Sequence, residues 1–210
     1  NLVIAHVNYR LREESDDDAD FVRQLATQTG AIFEEQVWQH IPDHAVEKAA
    51  RQFRYDFFEE LAQKYHTNTI AVAHHADDQA ETIFMRILRG SRLRYLSGMK
   101  DRQPFGGGEL IRPLLEFSKT DFPTVFHFED ASNFENTYFR NRVRNQYFPL
   151  LETENPRIKQ AIIGLGLEIA QLQKALSGLT KDLNLTDLQT FRKQKREVQV
   201  KTGRKDESQT

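Results

Sequence analysis

The 210-residue sequence contains no cysteine. A disulfide framework, a thiolate zinc site, a cysteine nucleophile and a cysteine sulfur carrier are therefore excluded within these residues. No apolar run approaches the roughly 20 residues that a membrane span needs. The opening Asn1-Leu2-Val3-Ile4 is far too short for a signal peptide, so the cytoplasm is the expected compartment. A strong excess of one charge is also missing. The formal net charge of -2 argues against nonspecific nucleic-acid binding by the whole surface and directs attention to local patches. Hydrophobic residues at 39% and charged residues at 29% are the proportions of a soluble globular chain. The length suffices for one large domain or one domain plus part of a second.

Leu2 to Val7 is a short apolar run rich in β-branched residues and predicts a buried strand. Ser15 then precedes Asp16, Asp17 and Asp18, a helix start with a capping hydroxyl and carboxylates at the positive end of the helix dipole. Phe21, Val22, Leu25 and Ala26 continue it at helical spacing, and Gly30 is placed to end it. Ala31 to Trp38 predicts a second strand, Ala45 to Tyr65 a long amphipathic helix, and Thr69 to Ala73 a third strand followed at once by a helix through Leu88. This alternation predicts an α/β fold, an open parallel sheet with helices on both faces. Beyond Gly90 the regularity fades, and Gly106-Gly107-Gly108 reads as a flexible turn. Between Pro149 and Pro156 the pattern changes to a helical stretch, Ile158 to Leu176, and a polar tail in which Arg192 to Thr210 is surface helix or disorder. The expected division is a first domain over residues 1–150 and a partial helical domain with a tail over 151–210.

The densest polar cluster, His74-His75-Ala76-Asp77-Asp78-Gln79-Ala80-Glu81-Thr82, falls where the third strand gives way to a helix. In open α/β sheets the ligand crevice lies at that end of the strands. Asp78 and Glu81 share one helix face, as do Arg86 and Arg89. Two plainer readings compete: carboxylates that complement the helix dipole beside solvated ion pairs, and a divalent metal site built from histidine and carboxylate.

The run His74 to Ser91, HHADDQAETIFMRILRGS, is similar to the signature of the tRNA(Ile)-lysidine synthetase family. Further runs resemble that family in order along the chain: His6 to Arg12, Ala50 to Tyr55, Ile111 to Leu115, Ser118 to Asp121, Glu129 to Asn133 and Arg140 to Arg144. The resemblance covers residues 1 to about 150. It implies an ATP-pyrophosphatase (PP-loop) fold of the adenine nucleotide alpha hydrolase type and a carbon–nitrogen ligase that uses ATP and Mg2+. In the implied reaction the C2 carbonyl oxygen of the wobble cytidine in the CAU anticodon of tRNA(Ile) attacks the α-phosphate of ATP and releases pyrophosphate. The ε-amine of free L-lysine then attacks C2 and expels AMP.

The resemblance also implies roles. Arg54 and His74 are the expected nucleotide-binding and catalytic pair, stabilising negative charge on phosphate oxygens. Asp78 and Glu81 are expected to hold the lysine amines, one of them accepting a proton from the attacking nitrogen. Arg86, Arg89, Arg92 and Arg94, with Lys100 and Arg102 nearby, form one basic stretch, and Arg140, Arg142 and Arg144 form another. Both are expected to contact tRNA phosphates, with Tyr95, Tyr138 and Phe139 beside them as stacking surfaces.

The sequence departs from the family at its front. The family's SGG-x-DS loop, whose backbone N–H groups hold ATP phosphates, is not present, and the expectation is that a first strand and this loop precede Asn1. The segment Lys119 to Asp130 is shorter than the family's usual connection. Two alternatives stand beside the ligase: a catalytically inactive tRNA-binding fragment, and a related PP-loop enzyme that thiolates cytidine, which the lack of cysteine disfavours. A homodimer is one assembly the sequence allows.

Overall fold

Val3–Asn8 forms strand β1 and Ile32–Val37 forms strand β2, paired in parallel with Val3 opposite Ile32 and Asn8 opposite Val37. Helix α1, Ser15–Thr29, connects them and packs on both. Ser15 opens this helix rather than standing before it, with Glu14 in the cap position, while the three aspartates occupy the first turn as expected. The computed structural model describes residues 2–11, 13–39, 42, 44, 46–122 and 138–180. The Glu129 to Asn133 run and the tail from Arg192 therefore lie outside the described residues.

Helix α2, Val46–Lys64, touches β1 and strand β3, Thr69–Ala71. Its Phe53 packs on Trp38, whose ring also meets Tyr9 edge-on. Helix α3, Ala76–Leu88, follows β3 directly. The glycine run is a tight hairpin joining strands β4, Arg102–Phe105, and β5, Gly108–Ile111. Gly106 and Gly107 have φ of +52° and +80°, the left-handed pair that a two-residue hairpin turn demands. β5 pairs in parallel with β3 and antiparallel with β4. Short helices α4, Phe139–Arg142, and α5, Phe148–Glu154, are joined by a wider π turn, Val143–Tyr147, and lead to the long helix α6, Ile158–Thr180.

The α/β class holds, with parallel pairing in both β1–β2 and β3–β5, but the strands divide into two sheets, β1-β2 and β3-β5-β4. Between β1 and β3 lies a cavity of about 360 Å³, lined by Ala5, by Ala71 to His74 at the end of β3, and by Arg54, Tyr55 and Phe58 of α2. The main apolar cluster sits on the far side of α3, where Ala80, Ile83, Val143, Phe148 and Ile162 are buried together. α3 is thus gripped by α5 and α6, which fixes its N-terminus at the sheet ends.

Candidate functional site

A helix turns by about 100° per residue, so Asp78 and Glu81 project from one side of α3 while Gln79 and Arg86 project from another. The Asp78 carboxylate folds back to accept the backbone N–H of His75 at 3.0 Å, stabilising the start of α3. Its other oxygen accepts from Arg140 Nη2 at 2.9 Å. Glu81, only 2% exposed, accepts from Arg140 Nε at 2.6 Å and from Arg144 Nε at 2.7 Å and Nη2 at 3.1 Å. A charge so deeply buried is tolerable only when paired and hydrogen-bonded, and these two arginines supply both conditions. The structure therefore brings together residues that the sequence assigns to two roles, the lysine-facing carboxylates and the second basic stretch.

Arg142 lies instead over the Phe139 ring, 5.7 Å from its centroid, with Arg89 over the same ring at 5.1 Å. Arg86 turns inward, donating to the backbone carbonyls of Tyr95 and Gly98. Arg92, Arg94 and Lys100 are exposed, Arg94 lying over Tyr95 at 4.8 Å, whereas Arg102 is paired with Glu109.

On the sheet side, His74 and Arg54 both line the cavity between β1 and β3. Arg54 makes no ion pair among the described residues, and Asp56, its nearest candidate in sequence, is engaged by Gln52. Burial lowers the His74 pKa to about 4; Asp78 opposes that shift, and the positive field of Arg112, Arg140 and Arg54 reinforces it. The ring is neutral near pH 7, and its buried Nδ1 has no hydrogen-bond partner among the described residues. His75 behaves oppositely: Asp77, whose Oδ2 lies 3.4 Å from Nδ1, leads the causes that raise its pKa. Asp77 is held well below the usual carboxylate range, first by His75 and then by the Lys119 backbone N–H and by Lys159, 3.2 Å from Oδ1.

The sequence reading missed Arg112 and Lys159. Arg112 is 5% exposed, donates to the Lys100 carbonyl at 2.7 Å and to Gln103 at 3.2 Å, and projects its charge at His74. Its place in the Ile111 to Leu115 run was the available signal. Lys159 reaches Asp77 from α6, and no local pattern links the two. Among the described residues no group of three or more histidine, aspartate or glutamate side chains is arranged to hold a metal, and no helix is long and apolar enough to cross a membrane.

A solved structure of similar fold is the U34-tRNA thiolase NcsA from Methanococcus maripaludis with its [4Fe-4S] cluster. Its TM-score is 0.58 at 17% identity, over 81% of this chain and 62% of that one, a likeness of fold alone. The chain is 71% identical over 199 residues to a tRNA(Ile)-lysidine synthase of Streptococcus gordonii, a match covering 95% of this chain and 46% of the relative. It is 54% identical to the protein of the same name from Streptococcus sanguinis and 44% identical to that of Streptococcus mutans, each match covering 94% of this chain and 46% of the relative. The chain thus spans less than half the length of these curated relatives. Residues 1–151 match the family described as PP-loop domain, and the chain belongs to that family.

Proposed function

We propose that this chain forms the catalytic part of a tRNA(Ile)-lysidine synthase, joining lysine to C2 of the anticodon cytidine at the expense of ATP. The observation that carries the reading is the arrangement around α3: on the cavity side a neutral histidine and an arginine with no ion pair among the described residues, and two adjacent carboxylates on another face. The identity of 71% to a relative of that name supports it, and membership of the PP-loop family supports the use of ATP.

In this reading Arg54 and His74 face the phosphates. A fixed guanidinium stabilises the charge that builds on oxygen as the cytidine oxygen attacks phosphorus. The neutral His74 ring can donate its one N–H to a phosphate oxygen without adding a charge of its own. Asp78 and Glu81 supply the anionic field for the lysine ammonium groups, which must share or take over carboxylate oxygens now accepting from Arg140 and Arg144. A free ε-amine is needed for attack at C2, and a carboxylate that takes its proton produces one. Magnesium, when bound, neutralises phosphate charge. It typically keeps several waters and substrate phosphates as ligands, and Asp77, Asp78 and Glu81 are already engaged by Lys159, Arg140 and Arg144.

ATP–pyrophosphate exchange that depends on tRNA, followed by lysidine formation on added lysine, tests the reading in the full-length source protein. Binding of tRNA without exchange would select the inactive RNA-binding alternative. Thiolation is disfavoured because no cysteine is available among these residues.

A further inference from the structure

Residues 91–99 leave α3 as an irregular strap that carries a single 3-10 turn, Leu93–Tyr95. Four consecutive residues of it, Arg92 to Tyr95, are exposed, with Leu93 at 64% and Tyr95 at 51%. Two cations interleaved with an exposed ring are a surface for a phosphate backbone and an unpaired base. The strap's own turn supplies two backbone bonds, from the Tyr95 N–H to the Arg92 carbonyl at 2.9 Å and from the Leu96 N–H to the Leu93 carbonyl at 3.0 Å. The rest of the pose is held from outside. Gln79, 6% exposed, donates from Nε2 to the Met99 carbonyl at 2.9 Å and accepts the Met99 N–H at Oε1 at 2.7 Å. Gly98, at φ +77°, lies against this amide so closely that a Cβ there would sit 2.7 Å from the Gln79 side chain. Arg86, about two turns further along the same face of α3, donates to the carbonyl of Gly98. From the other flank, α6 contributes Gln173, whose amide donates to the Arg94 carbonyl at 3.1 Å.

We propose that Gln79 is a positioning residue that clips the strap to α3 and so presents Arg92, Arg94 and Tyr95 to the tRNA substrate. The inference rests on the tRNA-modifying reading above. It assigns a task to a side chain that points away from Asp78 and Glu81, and it links RNA contact and the lysine-facing carboxylates through one rigid helix. A primary amide is required because the clip donates to the C=O and accepts from the N–H of one residue, Met99, as a neighbouring strand does in a backbone ladder.

The test compares Gln79→Leu, Gln79→Glu and Gly98→Ala in the full-length source protein. Gln79→Leu loses both bonds, and Gln79→Glu keeps only the acceptor. Gly98→Ala displaces the amide from the opposite side. The expected result is a KM for tRNA raised about tenfold in Gln79→Leu and Gly98→Ala and less in Gln79→Glu, with a shallower salt dependence of tRNA binding. The KM values for lysine and ATP stay unchanged. On a background of Arg92→Ala with Arg94→Ala, Gln79→Leu should add little, because the clip acts through those arginines. An unchanged KM for tRNA in folded Gln79→Leu, fully additive losses, or an equal rise in the KM for lysine would overturn the proposal. Should the wild-type protein bind tRNA but make no lysidine, the ligase reading fails, while the clip is still decided by the binding series.

Discussion

At the scale of single residues, the two adjacent histidines at the start of α3 are driven apart by their surroundings. His74 has a folded pKa near 4 because it is buried. Acid protonates the unfolded chain first, so the contribution of His74 is present above its ordinary value of 6.5 and is lost as pH falls from there toward 4. His75 is raised by Asp77, so its contribution is complete below 6.5 and is lost as pH rises through its folded value. NMR titration of the ring protons should show His75 titrating above, and His74 well below, a free imidazole. Coincident titrations would mean that neither ring has the surroundings described. Glu81 makes a different demand. Glu81→Gln removes charge from a group bonded to two guanidinium groups, and a loss of about 1–3 kcal/mol is expected, read as a lower Tm. If Glu81 also holds lysine, adenylated tRNA accumulates, because the first step needs no lysine, and lysidine formation collapses even at high lysine. Ordinary lysine dependence in the folded variant removes Glu81 from the substrate site.

The elements with strong periodicity were readable from the sequence. β1, α1, β2, α2, β3 and α3 appear within a few residues of their expected limits, because alternating apolar runs and helical stripes are local signals. The β4–β5 hairpin was not readable. Its strands have four residues each, one contains Pro104, and β5 is further paired with β3, about forty residues earlier, which no local pattern records. The polar cluster at 74–82 announced a site, but the attachment of Arg140 and Arg144 to its carboxylates did not, since pairing across about sixty residues leaves no spacing to detect. The hairpin's entry into the β3 sheet is tight enough to test. A Cβ on Gly108 would lie 2.2 Å from the Asn68 carbonyl oxygen, and backbone cannot swing aside as a side chain can. Gly108→Ala should cost about 1–3 kcal/mol by overpacking. Gly107→Ala, with open space but φ of +80°, should lose only about 1–2 kcal/mol of backbone strain. Denaturant melts that rank the two in reverse would place the strain in the turn rather than at the strand crossing.

Across the whole molecule, the division into two sheets is the feature that local patterns least foretold. β1 and β3 each pair with one described strand, and the cavity between them is lined by small residues, Ala5, Ala71 and Ala73, over a floor of Tyr55 and Phe58. Two strands that leave unpaired edges facing a common gap are a template for a third, which would satisfy both rows of peptide groups at once. The same gap is bordered by Arg54 and His74, so a strand ending there would deliver the loop that follows it to the residues proposed to face the ATP phosphates. We therefore expect a segment preceding Asn1 in the source protein to enter this gap as a parallel strand and to continue into a glycine-rich phosphate loop. Amide hydrogen exchange distinguishes the possibilities. With the upstream segment present, the outward-facing amides of Val3 to Val7 and Thr69 to Ala73 should exchange much more slowly than in the 210-residue chain alone, while those already bonded within β1–β2 and β3–β5 change less. Equal exchange in both proteins would show that the gap stays open and that the phosphate-binding half of the site is built elsewhere.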